Sequence, residues 1–282
     1  MGHNPQWEWY IVWYFFLGGI AAGAYFVAAL ADMLGDEGDL PVVRTGYLIA
    51  LPLVLVLPVL LALDLGTPTR AFNMFLRFDL RSPMSVGSWA LLAFGFFAAA
   101  SAFLSFFDGR YPWAPSVRRQ IGFFGALCGF FIASYTGVLL GTTNRPLWSG
   151  TNMLGALFLA SGASTGVAAI VLVLQLRGSL PARLWERLRT LDEVVLILEV
   201  VVLASVLGLL GGTSAPLVRG AYAWAFWAFL LVGLAVPFAL QFGMTFFRTR
   251  VPSTPGPIMA SAGFLLLGGF ILRYLVVMAG GA

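Results

Sequence analysis

Apolar residues fill this chain in eight long blocks, and the short stretches between the blocks hold most of its proline, aspartate and arginine. A transmembrane helix needs roughly 20 mostly apolar residues, because it must cross about 30 Å of hydrocarbon at about 1.5 Å per residue. Every block meets that length. The pattern therefore predicts eight membrane-spanning helices, at about residues 10–34, 44–63, 85–107, 120–141, 152–176, 192–211, 220–243 and 256–278.

The composition agrees with a membrane protein and leaves no room for a soluble domain. Of the 282 residues, 60% are hydrophobic and only 10% are charged, whereas a typical soluble domain has about 25% charged residues. The mean hydropathy is +0.92, and the connections between the blocks are short. We therefore predict a single all-α integral membrane domain over residues 1–282.

Two stretches of small residues predict where the helices pack most closely. They are FLGGIAAGAY (16–25) in helix 1 and LASGASTG (159–166) in helix 5. Glycine, alanine and serine let two helix backbones approach each other inside a membrane. Each stretch opens one half of the chain, so we distinguish a first bundle of helices 1–4, about 10–141, from a second bundle of helices 5–8, about 152–278.

The arginines predict the orientation and argue against nucleic acid as a partner. All 16 basic residues are arginine. Ten lie on the face with the loops after helices 1, 3, 5 and 7, five lie on the face with the N-terminus, and Arg273 lies inside helix 8. Because basic residues are enriched in cytoplasmic loops, we predict that both termini lie outside. The arginines are spread over short loops instead of forming one basic face, so the sequence pI of 9.6 does not indicate nucleic-acid binding.

The chain has few residues of the kinds that ligate a redox cofactor. Its single cysteine, Cys128, cannot form a disulfide, an iron–sulfur cluster or a zinc site alone. Its only histidine, His3, precedes the first span, whereas a b-type haem inside a bundle usually needs histidine ligands on the helices. We therefore predict no haem, no iron–sulfur cluster and no metal on this chain.

Three hydroxyl side chains open the sequence SYTGVLLG (134–141), toward the outer end of helix 4. Ser134 and Thr136 are able to bond back to carbonyls of their own helix. Tyr135 lies deeper than an interfacial belt residue, and its hydroxyl needs a partner in hydrocarbon. Asp64 ends helix 2 on the same face, where it either caps the next turn, pairs with Arg70 or borders a ligand site.

A quinone headgroup suits this outer third of the first bundle. It is a flat ring with two carbonyl oxygens, so it needs hydrogen-bond donors, apolar walls and an entrance from the lipid. The Tyr135 hydroxyl is such a donor. A nearby carboxylate such as Asp64 is able to take up the protons of quinol oxidation, or to supply protons in the reverse reaction.

Four ionisable residues inside the spans form a second group of candidates, because burying such groups in a membrane is costly. Asp192 and Glu199 of helix 6 are seven residues apart, so they share one helical face and suggest a proton path. Asp32 ends helix 1 on the same inner side. The structural alternative for Asp192 is that acidic residues favour the first turn of a helix. For Glu199 it is a hydrogen bond to another helix. Arg273 of helix 8 either reaches the outer surface or pairs with Asp64.

Six motifs, taken together and in order, resemble the NrfD-like family, the membrane subunits of polysulfide reductase and its relatives. They are YFFLGGIAAGAY, LDLGTPTRAFNMF, SPMSVGSW, SYTGVLLGTTNRPLW, LFLASGASTG and GGFILRYLVVMAGG, and they span nearly the whole chain. The resemblance implies eight helices in two four-helix bundles in the prokaryotic cytoplasmic (inner) membrane. It also implies that menaquinone or ubiquinone binds in the first bundle near the outer face.

The same resemblance assigns residues to the quinone site. The tyrosine of the YTG motif, Tyr135 here, is implied as a quinone ligand, and Asp64, Met84 and Ser85 are implied at the border of the site. Some relatives also use asparagine and histidine of helix 1. This chain has no histidine in helix 1, and Tyr14 occupies that neighbourhood.

Partner subunits are implied by the resemblance as well. A four-cluster, ferredoxin-like iron–sulfur subunit docks on the outer face and exchanges electrons with a molybdopterin catalytic subunit in many members. Arg70, Arg77, Arg81 and Arg145 are the predicted docking surface, with contact to membrane lipid headgroups as the alternative. The predicted function is a quinone-reactive anchor without a complete active site for the terminal substrate. The alternatives are a transporter or channel and a purely structural anchor.

Overall fold

The computed structural model describes residues 9–64, 82–108, 110–143, 145–246 and 255–281, and it describes no side chains at 216, 243–246 and 281. Within these ranges, eight helices are long and apolar enough to cross a membrane. The predicted all-α, eight-span class is thereby confirmed. The helices are α1 (Trp9–Leu34), α2 (Leu40–Asp64), α3 (Pro83–Ser105), α4 (Ala114–Gly141), α5 (Leu154–Leu176), α6 (Ala182–Leu210), α7 (223–246) and α8 (Gly256–Gly281).

Short helical turns connect several spans. The turn Glu37–Asp39 between α1 and α2 is a 3-10 helix capped by the side chain of Asp36. A single α-helical turn, Pro146–Ser149, follows α4. A 3-10 turn, Gly211–Ser214, and an α-helical turn, Ala215–Val218, follow α6.

Helix α7 is continuous but changes its winding. It runs as α-helix over Ala223–Ala228, as π-helix over Phe229–Ala235 and again as α-helix over Val236–Phe246. The wide segment packs on α8, where a Cβ atom added to Gly268 would lie only 2.1 Å from the Cα atom of Gly233. The apolar pattern of this block does not distinguish a π-helix from an α-helix, because both satisfy the backbone internally.

The largest boundary error concerns α6, which begins ten residues before the predicted start at 192. The segment 182–191 is rich in arginine, and hydropathy alone places it outside the span. Its apolar residues Leu184, Trp185 and Leu188 are buried on one face, so the segment extends the helix by about three amphipathic turns. Polar residues end the hydrophobic block, but they do not end the helix.

Helices α1 and α5 form the centre of the molecule, and they are the most buried of the spans. Helix α1 packs on α2 and α4, α3 packs on α2 and α4, and α5 packs on α6 and α8. The predicted small-residue stretches meet each other at this centre. A Cβ atom at Gly23 would lie 2.0 Å from the carbonyl oxygen of Gly162, and one at Gly166 would lie 2.3 Å from the backbone nitrogen of Ala24.

A cluster of ion pairs ties the turn after α1 to the start of α6. Arg183 bonds Asp36, and Arg187 bonds Asp39 and lies 3.5 Å from Asp36. The Arg183 hydrogen bond holds the pKa of the Asp36 carboxyl below its usual range. These contacts join the two halves of the chain at the end of the molecule that is predicted to face the cytoplasm.

Candidate functional site

Tyr135 reaches from α4 to the first turn of α3. The side chain is half-buried, and its hydroxyl donates to the backbone carbonyl of Pro83. The ring lies directly on Gly87, where an added Cβ atom would come within 2.5 Å of the Tyr135 Cε1 atom. Gly87 therefore provides the space in which the ring docks.

The other two hydroxyls of the SYT sequence stay on their own helix. Ser134 Oγ donates to the carbonyl of Phe130 at 2.8 Å, and Thr136 Oγ1 donates to the carbonyl of Ala133 at 3.0 Å. Each hydroxyl thus bonds a carbonyl of its own helix, which is the local alternative stated for these two residues. Among these three neighbours, only Tyr135 directs its hydroxyl at another helix.

The start of α3 is built by a serine–proline cap. Ser82 has an extended backbone and accepts a hydrogen bond from the backbone N–H of Ser85 at 3.4 Å, and Pro83 takes the first helical position. Both are favoured residues at a helix N-terminus. The Ser85 side chain is buried, whereas Met84 is 44% exposed. The cap fixes the carbonyl of Pro83 opposite Tyr135.

Tyr14 of α1 completes the group. Its side chain is buried against Phe15, with the ring centroids 5.8 Å apart, and it lies close enough to Tyr135 for the two phenols to interact electrostatically. Asp64 is the last residue of α2, half-buried at the same end of the bundle. The structure thus brings Tyr14, Tyr135 and the first turn of α3 together, with Asp64 on the same side of the membrane.

One side of this group is not packed by other described helices. Phe131 stacks on Tyr135, with ring centroids 5.5 Å apart and an interplanar angle of 20°. Phe131 is 40% exposed, and Val138, one turn beyond Tyr135, is 52% exposed. Within the described ranges, the ring of Tyr135 is therefore accessible past an aromatic surface that faces the bilayer.

A buried polar cluster joins the four helices of the second half. Asp192 of α6 accepts hydrogen bonds from Ser164 of α5 at 2.7 Å and from Gln241 of α7 at 2.6 Å. The Gln241 amide also lies 3.2 Å from Ser261 Oγ of α8. Asp192 is 1% exposed. Its carboxyl is thus held deep inside the bundle and not at a solvated first turn.

Arg273 and Glu199 form the next layer toward the C-terminal end of α6. The Arg273 guanidinium donates to Ser161 Oγ at 2.6 Å, to the carbonyl of Gly269 at 2.9 Å and to the carbonyl of Phe158 at 3.2 Å. Glu199 is buried and interacts with both Arg273 and Ser161. Arg273 is 1% exposed, so the structure places it in the interior and not at the outer surface.

Asp32 belongs to a different cluster from the other predicted proton-path residues. Its two carboxylate oxygens each accept a hydrogen bond from Arg118 of α4 at 2.7 Å, and Arg118 also bonds Asp108. The three side chains are almost completely buried. The structure therefore brings Asp192, Glu199 and Arg273 together in the second half, and it separates Asp32 from them in the first.

Several partners in these clusters do not emerge from the sequence pattern. Arg118 and Asp108 fall between the predicted spans 85–107 and 120–141, whereas in the structure Arg118 lies inside α4. Ser161 and Ser164 lie in the LASGASTG stretch, where packing already explains small residues. Of these partners, Gln241 is the one that the sequence could have indicated, because an amide inside an apolar block needs a hydrogen-bond partner.

The predicted docking arginines are described only in part. Arg70, Arg77 and Arg81 lie outside the described residues. Arg145 is half-buried and caps the turn Pro146–Ser149 through its backbone, since its carbonyl accepts a hydrogen bond from the Trp148 N–H at 3.0 Å. Its role in docking stays a prediction.

These features define a polytopic helical membrane protein with a tyrosine pair at one end of its first half and buried charges through its second half. The chain belongs to the family described as polysulphide reductase, NrfD, because the sequence model of that family matches residues 1–282. The predicted resemblance is confirmed.

Curated relatives match over nearly their whole length. The chain is 27% identical to the C subunit of the polysulfide reductase of Wolinella succinogenes, covering 97% of this chain and 94% of that protein. It is 25% identical to the NrfD homologue of Haemophilus influenzae, covering 99% and 96%, and 24% identical to NrfD of Escherichia coli, covering 97% and 94%. The name of the Wolinella protein marks it as one subunit of a polysulfide reductase.

Proposed function

We propose that this chain is the haem-free, quinone-reactive membrane anchor of a multi-subunit oxidoreductase in a prokaryotic cytoplasmic membrane. The observation that carries the proposal is the bridge from Tyr135 to the Pro83 carbonyl, beside Tyr14 and open toward the bilayer. Membership of the NrfD family supports it. Menaquinone or ubiquinone is the substrate, and it reaches the site past Phe131.

The hydrogen bond of Tyr135 favours the reduced substrate in this geometry. A phenol has one proton to donate, and Tyr135 donates it to Pro83. Its oxygen keeps lone pairs that accept a hydrogen bond from a quinol hydroxyl. A quinone carbonyl needs a donor, so binding the oxidised form requires Tyr135 to release the Pro83 carbonyl. In the proposed site Tyr135 positions the quinol ring, and Asp64 takes up or supplies the protons of the reaction.

Electrons leave or enter through a partner subunit in this proposal. One cysteine and one histidine in the whole chain cannot ligate a series of redox centres. A four-cluster, ferredoxin-like iron–sulfur subunit therefore docks at the Tyr135 end, on the arginines of the outer loops, and exchanges electrons with a molybdopterin catalytic subunit. Arg145 follows α4 at that same end, which is consistent with such a surface.

The second half moves protons in the same proposal. Asp192 and Glu199 lie on one face of α6, buried in successive layers, and their carboxyls interact electrostatically. Ser164, Gln241 and Ser261 surround the inner layer, and Ser161 and Arg273 surround the outer one. Hydrogen-bonded groups in this order suit transfer from the inner end of α6 toward the middle of the membrane.

Replacing Tyr135 with phenylalanine tests the quinone site. We expect quinol-linked turnover of the purified complex to fall by about 10²-fold, because the hydroxyl that positions the reacting ring is lost. The partner subunits should still co-purify. The matched control is Tyr222→Phe, a half-buried tyrosine before α7, which should leave turnover unchanged.

Two outcomes would contradict the proposed site. Full turnover in the Tyr135→Phe complex would favour a purely structural anchor. Solute flux into proteoliposomes that contain this chain alone, without quinol oxidation or quinone reduction in the assembled complex, would favour a transporter or channel.

Replacing Glu199 with glutamine tests the proton path. We expect the complex in proteoliposomes to lose most of its charge movement per turnover, because the amide cannot release a proton at this depth. A membrane-potential dye read during quinol-linked turnover measures the effect. Glu37→Gln, in the exposed turn after α1, is the control. Charge movement equal to that of the unmodified complex would exclude Glu199 from the path.

A further inference from the structure

A groove of about 360 Å³ runs along the surface where the two halves of the chain meet. Its walls come from α1, α2, α5 and α8, and it is open on one side. Because all four walls are membrane-spanning helices, we infer that this opening faces lipid. The groove lies away from the Tyr135 group, and none of the residues that line it belongs to the buried polar clusters.

The groove is apolar along its length and polar at one end. Ile20 of α1, Leu53 of α2 and Leu266 of α8 line its deep part. Thr45 and Arg177 line the other end. Thr45 lies near the start of α2 and Arg177 caps the end of α5, so both belong to the membrane surface that is predicted to be cytoplasmic.

Arg177 is available to bind an anion. It is exposed, and in the described part of the chain the carboxylates that form ion pairs do so with other arginines. An unpaired guanidinium at a groove that opens to lipid suits a phosphodiester, because its donors match two phosphate oxygens.

The dimensions match one acyl chain of a single leaflet. From Thr45 to Leu53 helix α2 rises about 12 Å at about 1.5 Å per residue, and α5 rises about the same amount from Ala169 to Arg177. One leaflet contributes about 15 Å of hydrocarbon. A lipid with its phosphate at Arg177 would therefore lay its chain along the groove to the middle of the bilayer.

Pro52 favours an opening in the α2 wall. It lies inside the helix and has no N–H to bond the carbonyl of Leu48, so the helix is locally weakened between two residues that line the groove.

We propose that this groove is a binding site for an anionic phospholipid, with the phosphate on Arg177 and Thr45 and one acyl chain between α2 and α5. The lipid joins the first half of the chain to the second beside the Gly-rich contact of α1 with α5. Basic pockets between transmembrane helices near the cytoplasmic surface bind such headgroups in general. The site does not depend on the proposed quinone chemistry.

Lipid competition on the purified full-length chain tests the site. The protein is equilibrated with equal amounts of phosphatidylglycerol and phosphatidylcholine in mild detergent, and bound lipid is counted by native mass spectrometry. The unmodified chain should retain phosphatidylglycerol preferentially. Arg177→Gln should lower that preference about tenfold, as expected for the loss of one charge-assisted contact. Arg177→Lys keeps the charge but loses the paired donors, so its preference should lie between those of the unmodified chain and Arg177→Gln.

Two controls separate headgroup binding from groove filling. Arg110→Gln removes an exposed arginine of the same predicted surface that does not line the groove, and it should leave the preference unchanged. Ile49→Trp fills the groove without touching Arg177, and it should reduce retention of both lipids. Equal losses in Arg177→Gln and Arg110→Gln, unchanged retention in Ile49→Trp, or recovery of quinone in place of phospholipid would each overturn the proposal.

Discussion

Replacing Arg118 with leucine is expected to destabilise the folded protein by about 3–5 kcal/mol, which is the usual cost of removing one partner from a buried ion pair. Arg118 is 1% exposed and bonds Asp32 through two hydrogen bonds of 2.7 Å and Asp108 through another. Its loss leaves the two buried carboxylates with only longer contacts to exposed arginines, Arg119 at 3.7 Å from Asp32 and Arg44 at 3.5 Å from Asp108. Thermal unfolding in detergent, followed by tryptophan fluorescence, measures the effect.

The neighbouring residue provides a matched control for this prediction. Arg119 lies 3.7 Å from Asp32, but its side chain is 56% exposed, so Arg119→Leu should cost less than about 1 kcal/mol. Adding Asp32→Asn to Arg118→Leu should recover part of the loss, because one of the two buried charges is removed. Equal losses of stability in the two arginine variants would show that the buried network stabilises the fold no more than an exposed ion pair does.

Substituting Gly166 is expected to have the second large effect on stability, because any larger side chain at this position would push α1 and α5 apart. A Cβ atom at this position would lie 2.3 Å from backbone atoms of both Gly23 and Ala24, and backbone cannot move aside as a flexible side chain does. Gly166→Ala should lower the midpoint of thermal unfolding markedly, and Gly166→Leu should abolish the folded chain. Yield in the membrane and elution by size-exclusion chromatography measure the outcome.

Gly263 is the control for the glycine prediction. It also lies within a spanning helix, but nothing comes within 4 Å of a Cβ atom added there. Gly263→Ala and Gly263→Leu should therefore leave the yield and the unfolding midpoint nearly unchanged. Folded Gly166→Leu protein at normal yield would mean that α1 and α5 do not pack as closely as the structure indicates.

The polar residues divide between the halves in a way that bears on the proposed function. The first half carries a tyrosine pair that is accessible from the bilayer at one end and an arginine–carboxylate network at the other. The second half carries Asp192, Glu199 and Arg273 in successive buried layers. If both proposals hold, quinone chemistry takes place in one half and proton movement in the other, so Tyr135→Phe and Glu199→Gln should fail in different ways.

The sequence alone determined the class, the eight spans and the family, because each follows from local information. Hydrophobic length predicts a span wherever backbone groups must be satisfied inside one helix. Small residues at helical spacing indicated that α1 and α5 pack closely, but not that they pack on each other, and the six ordered motifs indicated the family. That the Tyr135 hydroxyl has a hydrogen-bond partner was also predictable, since a phenol deep in an apolar block needs one.

Only the tertiary structure decided which polar group meets which, because those partners lie far apart in the chain. Tyr135 bonds the carbonyl of Pro83, a backbone atom that has no signature in the sequence. Asp32 pairs with Arg118, 86 positions away, in a cluster separate from Asp192 and Glu199. Periodicity fixes the face on which a side chain lies, whereas the packing of the helices determines what stands opposite that face.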